Sequence, residues 1–405
     1  MEKITDKKKI GGLVLLFTFL YFTSYITRIN YGAVISEMEK TTDMTRTMLS
    51  MALTGSFITY GAGQIVSGIC GDRFSPKRLI TYGLCLTVLM NVLIPFCPNA
   101  YIMLGVWCVN GFAQAFMWPP LVKLMTTLFT EEDYKASSVK VSWGSSFGTI
   151  AVYLLSPVII ALSGWKAVFF VSAICGIVMI FLWNRFCVDI EAKPNTAVKS
   201  VKETNVAKPR HMLFNPLMIC VMLAIVLQGM LRDGVTTWMP SYISETYDLS
   251  NIVAILTGVV MPIFSILTFQ VTSRLYRKVL TNPMTCAGVI FGVGAIASLA
   301  LVFFTGKNAA LSVAFSALLT GSMHGVNLIL ICMVPAFFNK YGNVSTVSGI
   351  LNSCTYVGSA ISTYGIALIS EKFSWSFTLL IWLIIALFGT LLCLVNIIPW
   401  RKKMS

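Results

Sequence analysis

The first apolar segment of the chain, residues 11–36, reads GGLVLLFTFLYFTSYITRINYGAVIS and contains a single charged residue, Arg28. An apolar run of about 20 residues or more is long enough to cross the hydrocarbon core of a membrane as a helix. Arginine keeps its proton, and placing it at the centre of a membrane helix costs roughly 2.5 to 3.5 kcal/mol. We therefore expect Arg28 to face protein or water, either as a functional group or in a structural ion pair.

Aromatic residues accompany Arg28 on one face of this predicted helix. At about 100° per residue, Tyr21, Tyr25 and Arg28 share a face, whereas Asn30 lies about 160° away from Arg28. The face that carries the arginine is a candidate binding surface.

The composition of the whole chain indicates an integral membrane protein. Apolar residues make up 56% of the 405 residues and charged residues only 11%, against roughly a quarter in globular proteins. The net charge of +14 would suggest nucleic acid in a soluble protein, but the basic residues cluster between apolar segments, so we expect no nucleic-acid partner. The 11 cysteines are scattered without metal-ligand spacing, and we expect no metal and no cofactor. No phosphate-binding loop or nucleophile constellation is visible in the sequence, which argues against an enzyme.

Apolar runs predict twelve membrane helices, and the basic residues predict their orientation. With both termini in the cytoplasm, 21 of the 30 lysine and arginine residues fall on the cytoplasmic side and five on the other. This asymmetry is the usual one for membrane proteins and predicts a multi-pass protein of the cell membrane with both termini inside. The predicted spans are residues 11–36, 47–70, 79–97, 101–129, 137–162, 166–187, 212–243, 251–273, 283–304, 309–338, 345–369 and 375–399.

A long polar loop divides these spans into two sets of six. It predicts an N-terminal bundle over residues 1–188, a cytoplasmic linker over 189–210 and a C-terminal bundle over 211–405. Two such halves suggest an internal repeat. Span 7 indeed carries Arg232, past its middle like Arg28 in span 1.

The loop after span 2 carries a motif. Gly68-x-x-x-Asp72-Arg73-x-x-x-Lys77-Arg78 resembles the loop motif of the major facilitator superfamily, with Ser75 in place of its usual glycine. The resemblance implies an all-α integral membrane fold with twelve transmembrane helices in two pseudo-symmetric six-helix bundles. An aspartate here can meet a helix N-terminus or a basic partner. Asp72, Arg73 and Arg78 are therefore candidates for a cytoplasmic gating loop.

Within that superfamily the chain looks most like the organophosphate:phosphate antiporters, the family of glycerol-3-phosphate and hexose-phosphate transporters. In that family two arginines on helices 1 and 7 hold the phosphate in a central cavity, and the resemblance carries this role onto Arg28 and Arg232. The segments that carry the likeness are Tyr25-x-x-Arg28-x-Asn30, Ser56 to Asp72 with Tyr60-Gly61, Gln114-Ala-Phe-Met-Trp118-Pro119-Pro120, and Leu231-Arg232-x-Gly234-x-x-x-Trp238-x-Pro240-x-Tyr242.

The chain departs from this family at two positions. Gln64 stands where the family's phosphate transporters carry a lysine, and Phe147 stands at about the place of a histidine. The arginine pair predicts an anion, because an oxyanion with two or three oxygens can accept bidentate bonds from both guanidinium groups. A carboxylate, a sulfonate or a differently held phosphate are all compatible with the remaining residues.

Further polar residues within the predicted spans complete the candidate substrate site. Asn110, Gln114 and Trp118 recur every four residues along span 4. Asp233 is the clearest carboxylate within a span, and since it points about 100° away from Arg232 we expect it to pair elsewhere. With His324 it is a candidate for proton coupling; Lys123 and Lys140 either reach the headgroups or serve an anion pathway. The candidate substrate-binding residues are Arg28, Arg232, Tyr25, Gln64, Gln114, Trp118, Gln228, His324, Asn327 and Tyr356.

These observations predict a secondary active transporter that moves a small organic anion, a phosphorylated metabolite, by alternating access. The counter-ion is phosphate in an antiporter or a proton in a symporter of an organic carboxylate, and both remain open. A transporter-like sensor of a sugar phosphate is the alternative from another class. A drug exporter is disfavoured, because exporters of lipophilic cations would not want two arginines in the cavity. The expected partners are the anionic substrate, its counter-ion and membrane lipid, and we expect a monomer.

Overall fold

The computed structural model describes residues 3–44, 46–190, 215–249, 259–341 and 343–404. A helix lies at each of the twelve predicted spans within these residues, so the all-helical prediction is confirmed. The linker predicted over 189–210 lies outside the described residues from position 191 onward. The helices, numbered in chain order, are α1 (Lys7–Thr41), α2 (Arg46–Arg73), α3 (Pro76–Leu93), α4 (Ala100–Gln114), α5 (Trp118–Leu128), α6 (Glu131–Ser163), α7 (Trp165–Phe186), α8 (Pro216–Tyr247), α9 (Val260–Lys278), α10 (Pro283–Phe304), α11 (Ala309–Asn327), α12 (Val344–Lys372), α13 (Trp375–Val395) and α14 (Ile397–Met404).

Nine helical segments of the described chain are long and apolar enough to cross a membrane. The other three predicted spans are occupied by α2, α9 and α12, which fall short of that criterion. In α2 the reason is visible in the sequence, since Ser56, Thr59, Gln64 and Ser67 interrupt the apolar residues. The nine segments are Lys7–Ile35, Pro76–Phe96, Ala100–Leu128, Glu131–Ser163, Trp165–Phe186, Pro216–Met239, Pro283–Phe304, Ala309–Asn339 and Trp375–Lys402.

Apolar side chains cover the outer faces of several helices. On α6, Leu155, Val158 and Leu162 are 54%, 55% and 79% exposed and lie three or four residues apart. A stripe of large apolar groups at helical spacing would be unfavourable in water, but it matches the hydrocarbon of a bilayer. The fold is therefore that of a multi-pass membrane protein.

Two predicted spans are interrupted. Span 4 consists of two helices: α4 ends at Gln114, and α5 begins at Trp118. The helix is interrupted because Pro119 and Pro120 have no backbone N–H to continue the hydrogen-bond ladder. Span 10 is α-helical up to Asn327 and continues as a π-helical turn, Leu328–Met333, and a 3-10 segment, Val334–Tyr341. Both segments are still long and apolar enough to cross a membrane, but neither is one uninterrupted α-helix.

The chain forms two compact units. The first contains Met1–Ala207 together with Phe338–Ser353, and the second contains Lys208–Phe337 together with Cys354–Ser405. Helix α12 therefore begins in the first unit and continues in the second.

In the first unit, α1 packs on α6 and α7, α2 packs on α4, and α3 packs on α7 and α4. The contact between α1 and α6 is close because two glycines, Gly144 and Gly148, face α1 one turn apart. A Cβ at Gly148 would lie 2.9 Å from the Cβ of Tyr25. At the end of α1 beyond Arg28, the rings of Tyr31, Trp107 and Phe169 form a buried aromatic core.

In the second unit, α10 packs on α13 and α11, α9 packs on α11, and α8 packs on α11 and α13. Helix α8 also approaches α12 closely. A Cβ at Gly229 would overlap the carbonyl oxygen of Thr355, and a Cβ at Gly358 would overlap the carbonyl oxygen of Val226. This crossing places Asp233 of α8 against α12.

Candidate functional site

Arg28 lies half-buried on α1 and is packed against two aromatic rings. Its guanidinium carbon is 4.3 Å from the ring centre of Tyr25 and 4.8 Å from that of Tyr60, on α2. Aromatic stacking uses the face of the guanidinium, whereas its N–H donors lie along the edge. An arginine held in this way keeps the geometry needed to bind an oxyanion.

The predicted aromatic face of α1 is present. The rings of Tyr21 and Tyr25 are 5.5 Å apart, and Tyr21 also lies 5.0 Å from Trp118. Asn30, predicted on the opposite side, is fully buried there and donates to the side chains of Asn91 and Ser172. The structure thus separates the aromatic face of α1 that carries Arg28 from a face that holds the helix in its unit.

Gln114 of α4 is part of a buried hydrogen-bond network. Its Oε1 accepts from Ser24 at 2.6 Å, and its Nε2 donates to the hydroxyl of Thr27 at 2.8 Å. Asn110 donates to the backbone carbonyl of Thr27. Because these bonds join α4 to α1 inside the first unit, they fix the position of the helix that carries Arg28. Trp118, beyond the break in span 4, is buried against Tyr21.

Gln64 of α2 is also fully buried and bonded within the first unit. Its Oε1 accepts from Asn352 Nδ2 at 3.0 Å, and its Nε2 lies 3.4 Å from the carbonyl oxygen of Ala115. The backbones of α2 and α12 touch at this level, since a Cβ at Gly68 would lie 3.2 Å from the Cα of Gly349. Gln64 therefore contributes to helix packing in this conformation.

Asp72, in the last turn of α2, lies against the N-terminus of α12, where a negative charge is favourable. Its two carboxylate oxygens accept the backbone N–H groups of Ser345 and Thr346 at 3.1 and 2.8 Å. Lys123 Nζ is 3.3 Å from the same carboxylate. A carboxylate at a helix N-terminus satisfies orphan N–H donors and interacts favourably with the helix dipole. Lys123 thus pairs with Asp72. The sequence alone predicts instead that Lys123 either reaches the lipid headgroups or serves an anion pathway.

The two arginines of the gating-loop motif are exposed. Arg73 is exposed at the end of α2, and Arg78 Nε lies 3.9 Å from the carboxylate of Asp189. Ser75, which replaces the motif's glycine, caps α3 through Arg78 N and donates to Asp189 at 2.6 Å. Arg78 is therefore close to the short segment that follows α7.

In the second unit, Arg232 and Asp233 form a bidentate ion pair. Arg232 Nε is 2.6 Å from Asp233 Oδ1, and Nη2 is 2.8 Å from Oδ2. The expectation that Asp233 pairs elsewhere is wrong, because the long side chain of arginine can turn along the helix surface and reach its neighbour. Ser359 of α12 also donates to Asp233 Oδ2.

Ser359 is a residue that the sequence reasoning missed. It continues a polar stripe on α12 that contains Asn352, Thr355 and Tyr356, at the helical positions i, i+3, i+4 and i+7. Extending the stripe by one turn would have found it. Tyr60 was missed as a site residue because its contact with Arg28 joins two different helices.

The remaining candidates of the second unit lie on α8, α11 and α12. Gln228 is fully buried and donates to the carbonyl oxygen of Met323 at 3.1 Å. His324 is half-buried, packs against the ring of Phe269 and interacts electrostatically with Arg232 and Asp233. Asn327 ends α11, half-buried, just before the π-helical turn, and Tyr356 is buried on α12.

The structure therefore assembles two groups. Arg28 lies with Tyr25 and Tyr60 in the first unit, and Arg232 lies with Asp233, Ser359 and His324 in the second. Three buried glutamines, by contrast, hydrogen-bond to neighbouring helices: Gln64, Gln114 and Gln228.

The sequence model of the Major Facilitator Superfamily matches residues 17–363, which is most of the chain. The chain belongs to that superfamily. The membership confirms the fold class inferred from the motif at Gly68 to Arg78, and it places the protein among membrane transport proteins rather than enzymes.

Similar superfamily members include sensors and transporters. The chain is 22% identical to the membrane sensor protein UhpC of Salmonella typhimurium, over 92% of this chain and 90% of that protein. It is 21% identical to a probable hexose phosphate transport protein of Chlamydia muridarum, over 89% of this chain and 84% of that protein. These relatives confirm the resemblance to the organophosphate:phosphate antiporters.

A solved superfamily structure shows the same fold. The crystal structure of the transporter FucP in the outward conformation aligns with a TM-score of 0.77 at 13% identity, over 96% of this chain and 99% of that one. At this identity the likeness concerns the helical architecture alone.

Proposed function

We propose that this protein is a secondary active transporter of a small organic anion, a phosphorylated metabolite, and that Arg28 and Arg232 both bind the anion. The observation that carries the proposal is the packing of Arg28 against Tyr25 and Tyr60 within a membrane helix. Two aromatic rings compensate part of the cost of a permanent charge in the membrane and leave the edge of the guanidinium suited to an oxyanion.

The relatives support a phosphorylated substrate. One of them is described as a hexose phosphate transport protein. Arginine suits phosphate because its planar fork can donate two parallel hydrogen bonds to two oxygens. Transport proceeds by alternating access, in which the ligand binds to two conformations of the protein in turn.

The proposed substrate-binding residues fall into two classes. Tyr25, Trp118, His324, Asn327 and Tyr356 join the arginines as direct contacts. The buried glutamines hold neighbouring helices together in the conformation described here. They contact the ligand only if hydrogen bonds to the ligand replace their bonds between helices; these residues are Gln64, Gln114 and Gln228.

Purified protein in liposomes tests the proposal. Uptake of labelled glucose 6-phosphate is measured into vesicles that contain phosphate, and into empty vesicles with an inward proton gradient. Acceleration by internal phosphate indicates antiport, and acceleration by the gradient indicates symport. Gluconate, a monocarboxylate, is assayed in parallel to test for an organic carboxylate.

Variants at the arginines show whether they bind the anion. We expect Arg28→Lys and Arg232→Lys to reduce uptake at least about tenfold, because a lysine cannot make the bidentate bonds. Arg185→Lys is the matched control: Arg185 lies at the end of α7 with its guanidinium over Phe186, and uptake should be unchanged. Normal uptake of every anion by both arginine variants would contradict the proposal.

A sensor is the second candidate, because a relative that aligns over nearly the whole chain is a membrane sensor protein. A sensor binds its sugar phosphate without high flux. A thermal shift with glucose 6-phosphate that depends on both arginines, combined with no uptake in either vesicle assay, would favour the sensor.

We further propose that the protein is a monomer of the cell membrane with both termini in the cytoplasm. The charge asymmetry of the predicted loops supports the orientation. Light scattering of the purified protein in detergent measures the oligomeric state.

A further inference from the structure

Asp233 is a carboxylate within a membrane helix to which the proposed anion binding gives no role. Both of its oxygens engage Arg232, at 2.6 Å from Nε and 2.8 Å from Nη2. The hydroxyl of Ser359 donates to the same carboxylate from α12. An ionised carboxylate and guanidinium in such a place are stable only as a pair, since each alone would remain a charge at low dielectric.

The surroundings of the pair contain few other charged or titratable groups. Helix α11 contributes His324, and α12 contributes Ser359 with the phenol of Tyr356 one turn before it. Helix α13 and the π-helical turn, which also pack against α8, carry no acidic, basic or histidine residue over Trp375–Val395 and Leu328–Met333. In the described part of the second unit, the charge on Asp233 is therefore balanced chiefly by Arg232.

Binding of an anion to Arg232 disturbs this balance. The donors on the Nε edge of a guanidinium are the ones that suit bidentate binding of an oxyanion, and here the carboxylate already uses them. An anion that takes this edge leaves Asp233 without its counter-charge and beside a second negative group. A proton on the carboxylate removes that cost, because a neutral carboxyl group is far easier to bury than a charged one.

We propose that Asp233 is a displaceable internal counter-ion of Arg232 and takes up one proton when the substrate anion binds. An O–H bond forms on the carboxyl group with a proton from water, and the same proton returns to water when the anion leaves and the ion pair forms again. The inference rests on the proposed function, in which Arg232 binds the anion. It makes the protein a carrier of an anion together with a proton.

The net charge of the pair leads to the same expectation. Arg232 and ionised Asp233 together carry no net charge, so the pair offers an anion a positive charge only after Asp233 is protonated. Apparent affinity for such an anion should therefore rise as the pH falls, by up to about tenfold per pH unit when one proton is taken up.

Sulfate is the probe, because it remains a dianion across the pH range of the test and any proton taken up belongs to the protein. Calorimetric titration of the purified protein is carried out at one pH in bis-tris and in imidazole, whose ionisation enthalpies differ. The difference in observed enthalpy gives the number of protons taken up. We expect about one proton per sulfate for the wild type and about none for Asp233→Asn, whose affinity should also lose its pH dependence.

Glu245→Gln is the matched control, because Glu245 is a carboxylate of the same helix that accepts from Trp375 Nε1 and has no role in the proposal. It should keep the proton uptake of the wild type. Sulfate binding by the wild type without proton uptake overturns the inference, whether or not Asp233→Asn folds, and so does undiminished uptake in that variant. Absence of sulfate binding in every protein would instead overturn the proposed function.

Discussion

The guanidinium of Arg28 lies over the rings of two tyrosines that belong to different helices. A cation–π contact contributes about 0.5 to 2 kcal/mol, and more of it is retained where water is excluded. The two rings therefore hold the arginine in one orientation before any ligand arrives. Anion binding at Arg28 should depend on these rings as well as on the charge.

Replacement of Tyr60 tests this dependence. Tyr60→Phe keeps an aromatic ring beside Arg28, and we expect its affinity for sulfate to remain within about threefold of the wild type. Tyr60→Leu removes the ring, and the loss of a contact of about 0.5 to 2 kcal/mol should weaken binding roughly 2- to 30-fold. Calorimetric titration measures both. Equal affinities for the leucine and phenylalanine variants would show that the ring has no effect on the arginine.

Residue-level predictions succeeded where one helix contains all the information. Periodicity places Tyr21, Tyr25 and Arg28 on one face, and the ring distances confirm it. The contact with Tyr60 could not be predicted, because it depends on how α1 and α2 lie beside each other. The error at Asp233 has another cause. The angle of about 100° between neighbouring residues fixes the directions in which their Cβ atoms point, but the arginine side chain is long enough to bend back to the carboxylate of the next residue.

At the scale of helices, the close crossing of α1 and α6 predicts that a Gly→Ala substitution lowers the stability of the protein. Gly→Ala in a helix is normally favourable by up to about 1 kcal/mol. At Gly148, however, the new Cβ would lie 2.7 Å from the carbonyl oxygen of Phe22 and 2.9 Å from the Cβ of Tyr25, so we expect Gly148→Ala to lower the thermal stability and weaken sulfate binding.

Gly105→Ala on α4 is the matched control, because a Cβ added there would have no neighbouring atom within 4 Å. It should leave the melting temperature unchanged or raise it slightly. Melting of both purified variants in the same detergent gives the comparison. Equal melting temperatures would mean that α1 and α6 can separate without cost, and that the close crossing does not position Tyr25.

The carboxylate of Asp72, which accepts hydrogen bonds from the first N–H groups of α12, allows a second prediction at the scale of helices. Asp72→Asn keeps the size of the side chain but removes the charge that faces two backbone N–H groups and Lys123. Hydrogen bonds to a charged group contribute about 1.5 to 3 kcal/mol, so the melting temperature should fall by several degrees. Asp189→Asn, at a far more exposed carboxylate near Arg78, should have a much smaller effect. A larger fall for Asp189→Asn would contradict this ranking.

Helix existence could be predicted from the sequence, but helix continuity could not. Apolar length alone indicated all twelve spans. The break between α4 and α5 follows from Pro119 and Pro120, whose effect an apolar window does not register. The π-helical turn after Asn327 has no comparably clear signal, although Pro335 removes one donor just beyond it.

At the scale of the whole molecule, hydropathy and packing give different information. Nine segments of the described chain are apolar enough to be recognised by composition, whereas α2, α9 and α12 are less so. Two of these three carry groups that bond within the protein, such as Gln64 on α2 and Ser359 on α12. The helices that composition alone identifies least well thus include α2, which brings Tyr60 to Arg28, and α12, which brings Ser359 to Asp233.

The distribution of basic residues predicts the orientation of the chain, and reporter fusions test it. A reporter that fluoresces only when it folds in the cytoplasm should be bright at the C-terminus and after residue 189, because both positions follow an even number of predicted spans. The same reporter fused after Asn99 follows three spans and should be dark. With 21 basic residues on one side of the predicted topology and five on the other, an inverted insertion would oppose the usual preference for positive charge inside. A bright fusion after Asn99 together with a dark C-terminal fusion would overturn the predicted orientation, and with it the assignment of the Gly68 to Arg78 loop to the cytoplasmic side.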